Sequence, residues 1–240
     1  MQWQIIESDQ MAPQAIMQKD ADLLNSLSFE SQPILHLYEW NCKCLTYGHF
    51  IDPAKYLEMD KLRVHHLEMA RRPTGGGIIF HLTDFAFSIL LPINYPQISI
   101  NTLDNYAYIN RLVAKAIEPL MNLSKPPELL SQIHPCTSSE CNSFCMAQPT
   151  KYDIIIGNKK VGGAAQRRTK KGLLHQGSLS LAFPPRALLQ DILLKESKVL
   201  EAMQEHTFVM NEEGTHESLA EMRLNMKDAL KNTILQIDSL

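Results

Sequence analysis

Ala70-Arg71-Arg72-Pro73-Thr74-Gly75-Gly76-Gly77-Ile78-Ile79-Phe80-His81 puts two arginines ahead of three consecutive glycines, then an apolar run and a histidine. Each glycine costs about 0.5–1 kcal/mol relative to alanine in regular structure. The chain has only 10 glycines, so three together need a reason. Two readings are open. In one, the bare backbone brings its N–H groups up to an anionic or carbonyl-bearing ligand, with an arginine fork beside them. In the other, the glycines make a tight bend between strands. The stretch is not Gly-x-Gly-x-x-Gly and lacks a Gly-Lys-Ser/Thr ending. The β-branched and aromatic segments that follow, Ile78-Ile79-Phe80 and Phe85-Ala86-Phe87-Ser88-Ile89-Leu90-Leu91, predict strand–turn–strand, which argues against a dinucleotide-binding unit.

A second glycine site lies downstream. Tyr152 to Ile156 reads as a strand, Gly157-Asn158 as a hairpin turn, and Lys159-Lys160-Val161 as the start of the returning strand. Gly162-Gly163-Ala164-Ala165 then carries almost no side-chain bulk, so another element or a ligand presses against it. Lysine beside such a pair is either a solvated charge or a cation fixed on a rigid strand and aimed at a carbonyl or phosphate. Leu173 to Leu181, with His175-Gln176-Gly177-Ser178 inside it, predicts another strand.

Together these three stretches resemble the lipoate–protein ligases. The first is similar to their Arg-Arg-x-Ser/Thr-Gly-Gly-Gly-x-Val-Phe-His element. Lys159-Lys160-Val161-Gly162-Gly163-Ala164-Ala165 resembles Lys-Val/Ile-x-Gly-x-Ala, and His175-Gln176-Gly177-Ser178 resembles His-His-Gly-Thr. Order and spacing agree over roughly residues 30 to 185. The resemblance implies an α+β fold, mixed β-sheets flanked by helices, as in the biotin/lipoate ligase-like catalytic domain. It implies that the chain attaches a lipoyl or octanoyl group to a lysine of a lipoyl carrier domain, in 2-oxoacid dehydrogenases or the glycine-cleavage H protein. Through an acyl-adenylate, that reaction takes ATP, Mg²⁺ and lipoic acid. By motif match Lys160 polarises the acyl carbonyl, and Arg72, Thr74, Gly75, Gly76, Gly77, Ile78, Ile79, His81, Gly163, Ala165 and His175 form the acyl or adenylate site.

The sequence departs from the ligase pattern. Leu82 and Gln176 stand where Asp and a second His are usual, and Thr150-Lys151-Tyr152-Asp153 replaces Arg-Asn-Asp. About 55 residues follow Pro185, too few for a typical large accessory domain. Residues 1–240 are therefore expected to be one catalytic domain, with any accessory function on a separate chain. Phe144-Cys145-Met146-Ala147-Gln148-Pro149-Thr150-Lys151-Tyr152-Asp153 resembles the Cys-x-x-x-Pro-Ser-x-Tyr-Glu element of cysteine-dependent octanoyl transferases, as does Ala165-Gln166-x-Arg168. In that alternative Cys145 takes octanoyl from an acyl carrier protein as a thioester and needs no cofactor, and Lys160 lowers its thiol pKa by proximity. The three full glycines favour the ligase, which is the leading expectation. Alternatives of other kinds are a small buried cysteine without chemistry, and an acyl-binding sensor that has lost catalysis. The Gly-Arg-Gly-Arg loop of biotin ligases is absent from the sequence.

Composition fits an ordinary soluble cytoplasmic enzyme. The 240 residues are 45% hydrophobic, and 23 basic against 26 acidic residues give a net charge of −3, with no basic face for nucleic acid. The basic run Arg167-Arg168-Thr169-Lys170-Lys171 is a solvated loop or a docking site for an acidic carrier. No apolar run is long enough to span a membrane, and the N-terminus reads as a first strand rather than a signal. The five cysteines are expected to be free thiols. Cys136-x4-Cys141-x3-Cys145 near His134 is an irregular zinc pattern, and no metal is assigned. Met11 to Leu27, Tyr106 to Leu120, Pro184 to about Thr207 and Thr215 onward predict helices. Ser124 to Cys145 predicts a loop that leaves Cys145 on a flexible approach to the lysine strand.

Overall fold

The computed structural model describes residues 2–132 and 139–237. The first strand, β1 (Gln4–Met11), leads into helix α1 (Pro13–Ser26) with proline in its first turn, as the sequence predicts. The chain returns as β2 (Ile34–Trp40), parallel to β1, so α1 is the crossover that parallel pairing requires. A small sheet follows: β3 (Cys44–Tyr47), a short helix α2 (Met59–Val64), β4 (Glu68–Arg71) and β5 (Ile78–His81), in the order β4-β3-β5. The glycine loop thus links β4 to β5. The chain then crosses to the large sheet as β6 (Asp84–Pro92), so the two predicted strands either side of residues 82–83 lie in different sheets.

Helix α3 (Thr102–Ile117), the short β7 (Glu128–Leu129) and β8 (Ile154–Ile156) come next. A hairpin of β9 (Lys159–Arg168) and β10 (Gly172–Ser180) completes the large sheet, in the order β1-β2-β6-β10-β9-β8-β7. Gly157 and Asn158, at φ 56° and 67°, form the predicted turn into β9. Every residue of β6 and β10 is buried, as befits central strands covered on both faces. On one face Phe85, Phe87, Ile89 and Leu91 pack against α3 and the final helix α6 (His216–Ile237). On the other, Ala86 and Leu90 meet residues of α1. The small sheet packs with α2, α4 (Arg186–Ile192) and α5 (Val199–His206) in a second core around Leu45, Leu57, Ile78 and Phe144.

Three expectations are corrected. The predicted helix from Pro184 to about Thr207 breaks into α4 and α5: Leu193 turns extended and bridges Leu57, because leucines at 189 and 193 are needed in the second core. The strand predicted from Tyr152 starts only at Ile154; Tyr152 has φ 68°, and the Asp153 carboxylate holds a turn by accepting from Thr150 N at 2.6 Å and Thr150 Oγ1 at 2.9 Å. Cys145 is not on a free arm: its N–H donates to Ile78 O at 2.9 Å, pinning the segment after the Ser139–Ser143 turn to β5.

Phe87, 1% exposed, sits where β6, β10 and the helices meet. Phe87→Ala should lower unfolding free energy by about 3–5 kcal/mol, read from urea unfolding, because the void is walled by β-sheet backbone that cannot collapse.

Candidate functional site

The face of the large sheet that carries Gly163, Ala165, Gln176 and Ser178 looks toward α1 and the small sheet. Between them lies a narrow cleft of about 420 Å³ including its mouth. Met17, Tyr38, Trp40, Ile79 and Met146 supply apolar wall; Arg72, His81 and Cys145 supply reactive groups. A second cleft, lined by Phe80, Phe144, Met146 and Met203, adjoins it across Ile79, Met146 and Ser178.

Arg72 is the hub. It is 5% exposed and spends its guanidinium on the protein: Nη1 donates to Thr46 Oγ1 at 2.9 Å, and Nη2 donates to Gly77 O at 2.6 Å and Gly75 O at 3.1 Å. The Cys145 sulfur lies 3.9 Å from Nη2. Only Nε is buried without a partner. Arg71, by contrast, is exposed and lies over the Tyr47 ring.

The glycine stretch is a bend that packs tightly on its neighbours. Gly76, at φ 82°, turns the chain close to Ala165 and Cys145. A Cβ on Gly77 would come within 2.3 Å of Ser143 O, so only glycine lets the Cys145 segment run against β5. Thr74, Gly75 and Ile78 stand behind the cleft and support it rather than line it, while Ile79 faces it.

His81 is held at both nitrogens, Nδ1 to Asp84 Oδ2 at 2.7 Å and Nε2 to Thr46 Oγ1 at 2.8 Å, and lies on the Trp40 ring at 4.3 Å between centroids. Because Arg72 only donates, Thr46 Oγ1 accepts from it and can give its own proton to His81 Nε2; the arrangement suits the Nδ1–H tautomer. Asp84 also accepts from Ser178 Oγ at 2.7 Å. Beside this group, burial and the nearby Asp20 carboxylate push the Tyr38 phenol well above its ordinary pKa, so it stays neutral.

Lys160 is 3% exposed. Its ammonium pairs with Asp153 Oδ2 at 2.7 Å and donates to the carbonyl of Cys145 at 2.5 Å. A Cβ on Gly163 would come within 2.7 Å of that ammonium, so the bare glycine makes room for the lysine side chain. The bulk that presses on Gly162, in turn, is Leu179. Lys160 thus reaches the backbone of Cys145, while Arg72 Nη2 stands 3.9 Å from its sulfur.

Like the glycine-loop residues and Lys160, His175 is a predicted site residue that does not line this cleft. His175 faces the opposite side of β10, fully buried between Phe87 and Tyr106, with Nδ1 2.9 Å from Gln166 Nε2. Its neighbour Gln176 lines the cleft instead, since adjacent strand residues point to opposite faces. Sequence reasoning missed Thr46, Asp84 and Asp20; Thr46 and Asp20 lie far along the chain from Arg72 and Gln176, and Asp84 lies far from Ser178 though only three residues from His81. His134 and Cys136 of the possible zinc pattern lie outside the described residues, and no group of three potential metal ligands occurs among the described ones. No helix there is long and apolar enough to cross a membrane.

The family described as "Lipoyl protein ligase A/B catalytic domain" matches residues 12–230. The chain is 26% identical over 238 residues to Octanoyltransferase LipM of Bacillus subtilis (strain 168), covering 95% of this chain and 82% of that one. Its fold matches lipoate-protein ligase A bound with ATP at TM-score 0.68 and 20% identity, covering 98% of this chain and 86% of that one. It also matches a bipartite lipoate protein ligase, studied with its E2 lipoyl domain from Thermoplasma acidophilum, at TM-score 0.67 and 18% identity, covering 98% and 84%. These structural likenesses establish the α+β fold, mixed sheets with flanking helices.

Burial lowers the His175 pKa from 6.5 to about 3. The unfolded chain therefore takes up this proton first, so the stability of neutral His175 is intact above about pH 6.5 and is lost as the pH falls toward 3. Urea unfolding across that window should show a shallower fall for His175→Gln than for the unaltered protein. Separately, Asp153→Ala strands the Lys160 ammonium in a buried position, and the same measurement at pH 7 should show a loss of about 3–5 kcal/mol.

Proposed function

The chain belongs to the lipoyl protein ligase A/B catalytic-domain family, and from that premise we propose that it is an octanoyltransferase working through a thioester on Cys145. It is an enzyme family of protein lipoylation; the choice of transferase over ATP-dependent ligase is our reading. One observation carries it: a half-buried thiol lines the acyl cleft with a guanidinium 3.9 Å away and an ammonium on its own carbonyl. The similarity to octanoyltransferase sequences supports the same reading.

In this reading the Cys145 sulfur attacks the carbonyl of an octanoyl thioester on a carrier protein. The new C–S bond forms, the old one breaks, and the carrier thiol leaves with the proton that Cys145 gave up. Arg72 holds negative charge on the attacking and departing sulfur. Met17, Tyr38, Trp40 and Met146 take the apolar tail. A neutral lysine of a lipoyl carrier domain, in a 2-oxoacid dehydrogenase or the glycine-cleavage H protein, then attacks. An amide forms, the C–S bond breaks, and the amine proton returns to the Cys145 sulfur. Lys160 shifts from the Cys145 carbonyl to the acyl oxygen as charge builds there, while Asp153 keeps it in place. The residues match this better than a triphosphate: both terminal nitrogens of Arg72 are engaged by the protein, and Lys160 is neutralised by Asp153. No step is drawn through ATP or Mg²⁺, and no accessory chain is needed. Free thiols at Cys42, Cys44 and Cys145 suit the reducing cytoplasm where such carriers occur. On this reading residues 1–240 act as one catalytic domain.

The test is intact mass of the protein and of an apo carrier domain after mixing with octanoyl-carrier thioester. We expect an octanoyl adduct on the enzyme, then on the carrier domain. Cys145→Ala should abolish both, and Lys160→Ala should slow transfer by about 100-fold or more. Carrier modification only with lipoic acid, ATP and Mg²⁺, unaffected by Cys145→Ala, would establish the ligase instead. Acyl ligand bound without either product would establish a sensor.

A further inference from the structure

The α1 side of the cleft holds a continuous run of buried polar side chains that the reaction above does not use. Gln176 sits in its middle. Its Oε1 accepts from the Thr74 hydroxyl at 2.7 Å; its Nε2 donates to Asp20 Oδ2 at 2.6 Å and lies 3.3 Å from Met17 Sδ. Asp20, fully buried on α1, also accepts from Ser88 Oγ at 2.6 Å, and its other oxygen meets His36 Nδ1 at 2.7 Å. His36 Nε2 in turn meets Ser8 Oγ at 2.8 Å, and Lys19 donates to that hydroxyl at 2.7 Å.

The proton directions close without conflict. Lys19 only donates, so Ser8 accepts from it and is free to donate to His36 Nε2. His36 then offers Nδ1–H to Asp20. Asp20 accepts from His36, Ser88 and Gln176. The amide of Gln176 therefore has its N side fixed toward Asp20 and its O side toward Thr74. Four elements, β1, α1, β2 and β6, thus hold one residue of β10 in a set orientation. That residue grips the hydroxyl that begins the glycine loop.

The grip reaches the reacting atoms in two steps. Thr74 precedes Gly75 and Gly77, whose carbonyls hold Arg72 Nη2, and that nitrogen faces the Cys145 sulfur. We propose that Gln176 and Asp20 are positioning residues for the reaction: through Thr74 they fix the glycine loop and so set Arg72 against Cys145. A loop of three glycines has no stiffness of its own, so its geometry has to be imposed from outside. Gln176 stands where the resemblance expects a histidine. A neutral imidazole also offers one donor and one acceptor, so the position calls for that pair of functions rather than for a charge.

The proposal rests on the thioester reading for its rate assay and is independent of it for its exchange assay. The variants are Gln176→Leu and Thr74→Val, which remove the link, and Gln176→His and Thr74→Ser, which keep it. Amide hydrogen exchange by mass spectrometry should show faster exchange over residues 74–77 in the first two and near-unaltered exchange in the last two. The rate constant of Cys145 octanoylation should fall by about 10-fold or more in each of the first two with the KM for the octanoyl donor little changed, and the double variant should be no slower than the worse single. Unchanged loop exchange in Gln176→Leu, additive rate losses in the double variant, or no rescue by Gln176→His would overturn the positioning role. Thermal unfolding of each variant identifies any that fails to fold, in which case Thr74→Val, on the loop itself, carries the decision. An unaltered protein that never acylates Cys145 refutes the thioester reading only, and the exchange assay still decides the anchor.

Discussion

The buried guanidinium of Arg72 fastens three parts of the chain whose backbones already meet, β3 with β5 by strand pairing and the Cys145 N–H on Ile78 O. It takes Thr46 from the small sheet, the carbonyls of Gly75 and Gly77 from the glycine loop, and the Cys145 sulfur from the segment ahead of β8. A cation nine-tenths buried is costly unless its donors are met, and here the terminal nitrogens are met by groups the protein itself supplies. The cleft opens beside this junction, with Arg72, Thr46 and Cys145 in its lining. Its position between two sheets follows from β5 and β6, which cross from one sheet to the other around residues 82–83.

Much of this is legible along the chain, because it is local. Proline at the start of α1, the Gly157-Asn158 turn and the bare strand at 162–165 each announce themselves by residue type. The glycine loop offered two readings, a bend and a ligand cradle; the structure shows the bend at Gly76, and the space at Gly77 is taken by the backbone of Ser143. The single helix expected after Pro185 fails because leucine spacing cannot tell whether residues 193–198 continue a helix or cross over to bridge Leu57.

The site was legible only where a motif keeps its meaning when the strand is given a face. His175 and Gln176 are neighbours in one motif, yet period-two alternation sends the first into the core and the second into the cleft. No pattern in His-Gln-Gly-Ser says which is which without knowing the pairing of β10 with β9 and β6. Thr46 and Asp20 were invisible for a related reason. An isolated threonine or aspartate carries no signal until its partner, 26 to 156 residues away for Arg72 with Thr46 and Gln176 with Asp20, is in place.

In our reading the cleft takes a greasy tail and also manages charge, and these conflict, since bare charges would hold water where the tail must go. This protein resolves the conflict by pairing each charge within its own wall: Arg72 with loop carbonyls, Lys160 with Asp153, His81 with Asp84, Asp20 with His36. The lining can then be apolar, and the reactive groups stand ready before a substrate arrives. The arrangement also limits what each group can do. Lys160 is already shared between a carboxylate and a carbonyl, so it can favour a developing oxyanion only by giving up the weaker of the two. The neutral carbonyl of Cys145 is that partner, and it belongs to the residue whose sulfur carries the acyl group in our reading. Releasing the carbonyl and meeting the oxyanion would then be one motion of a single ammonium, with Asp153 as its fixed end.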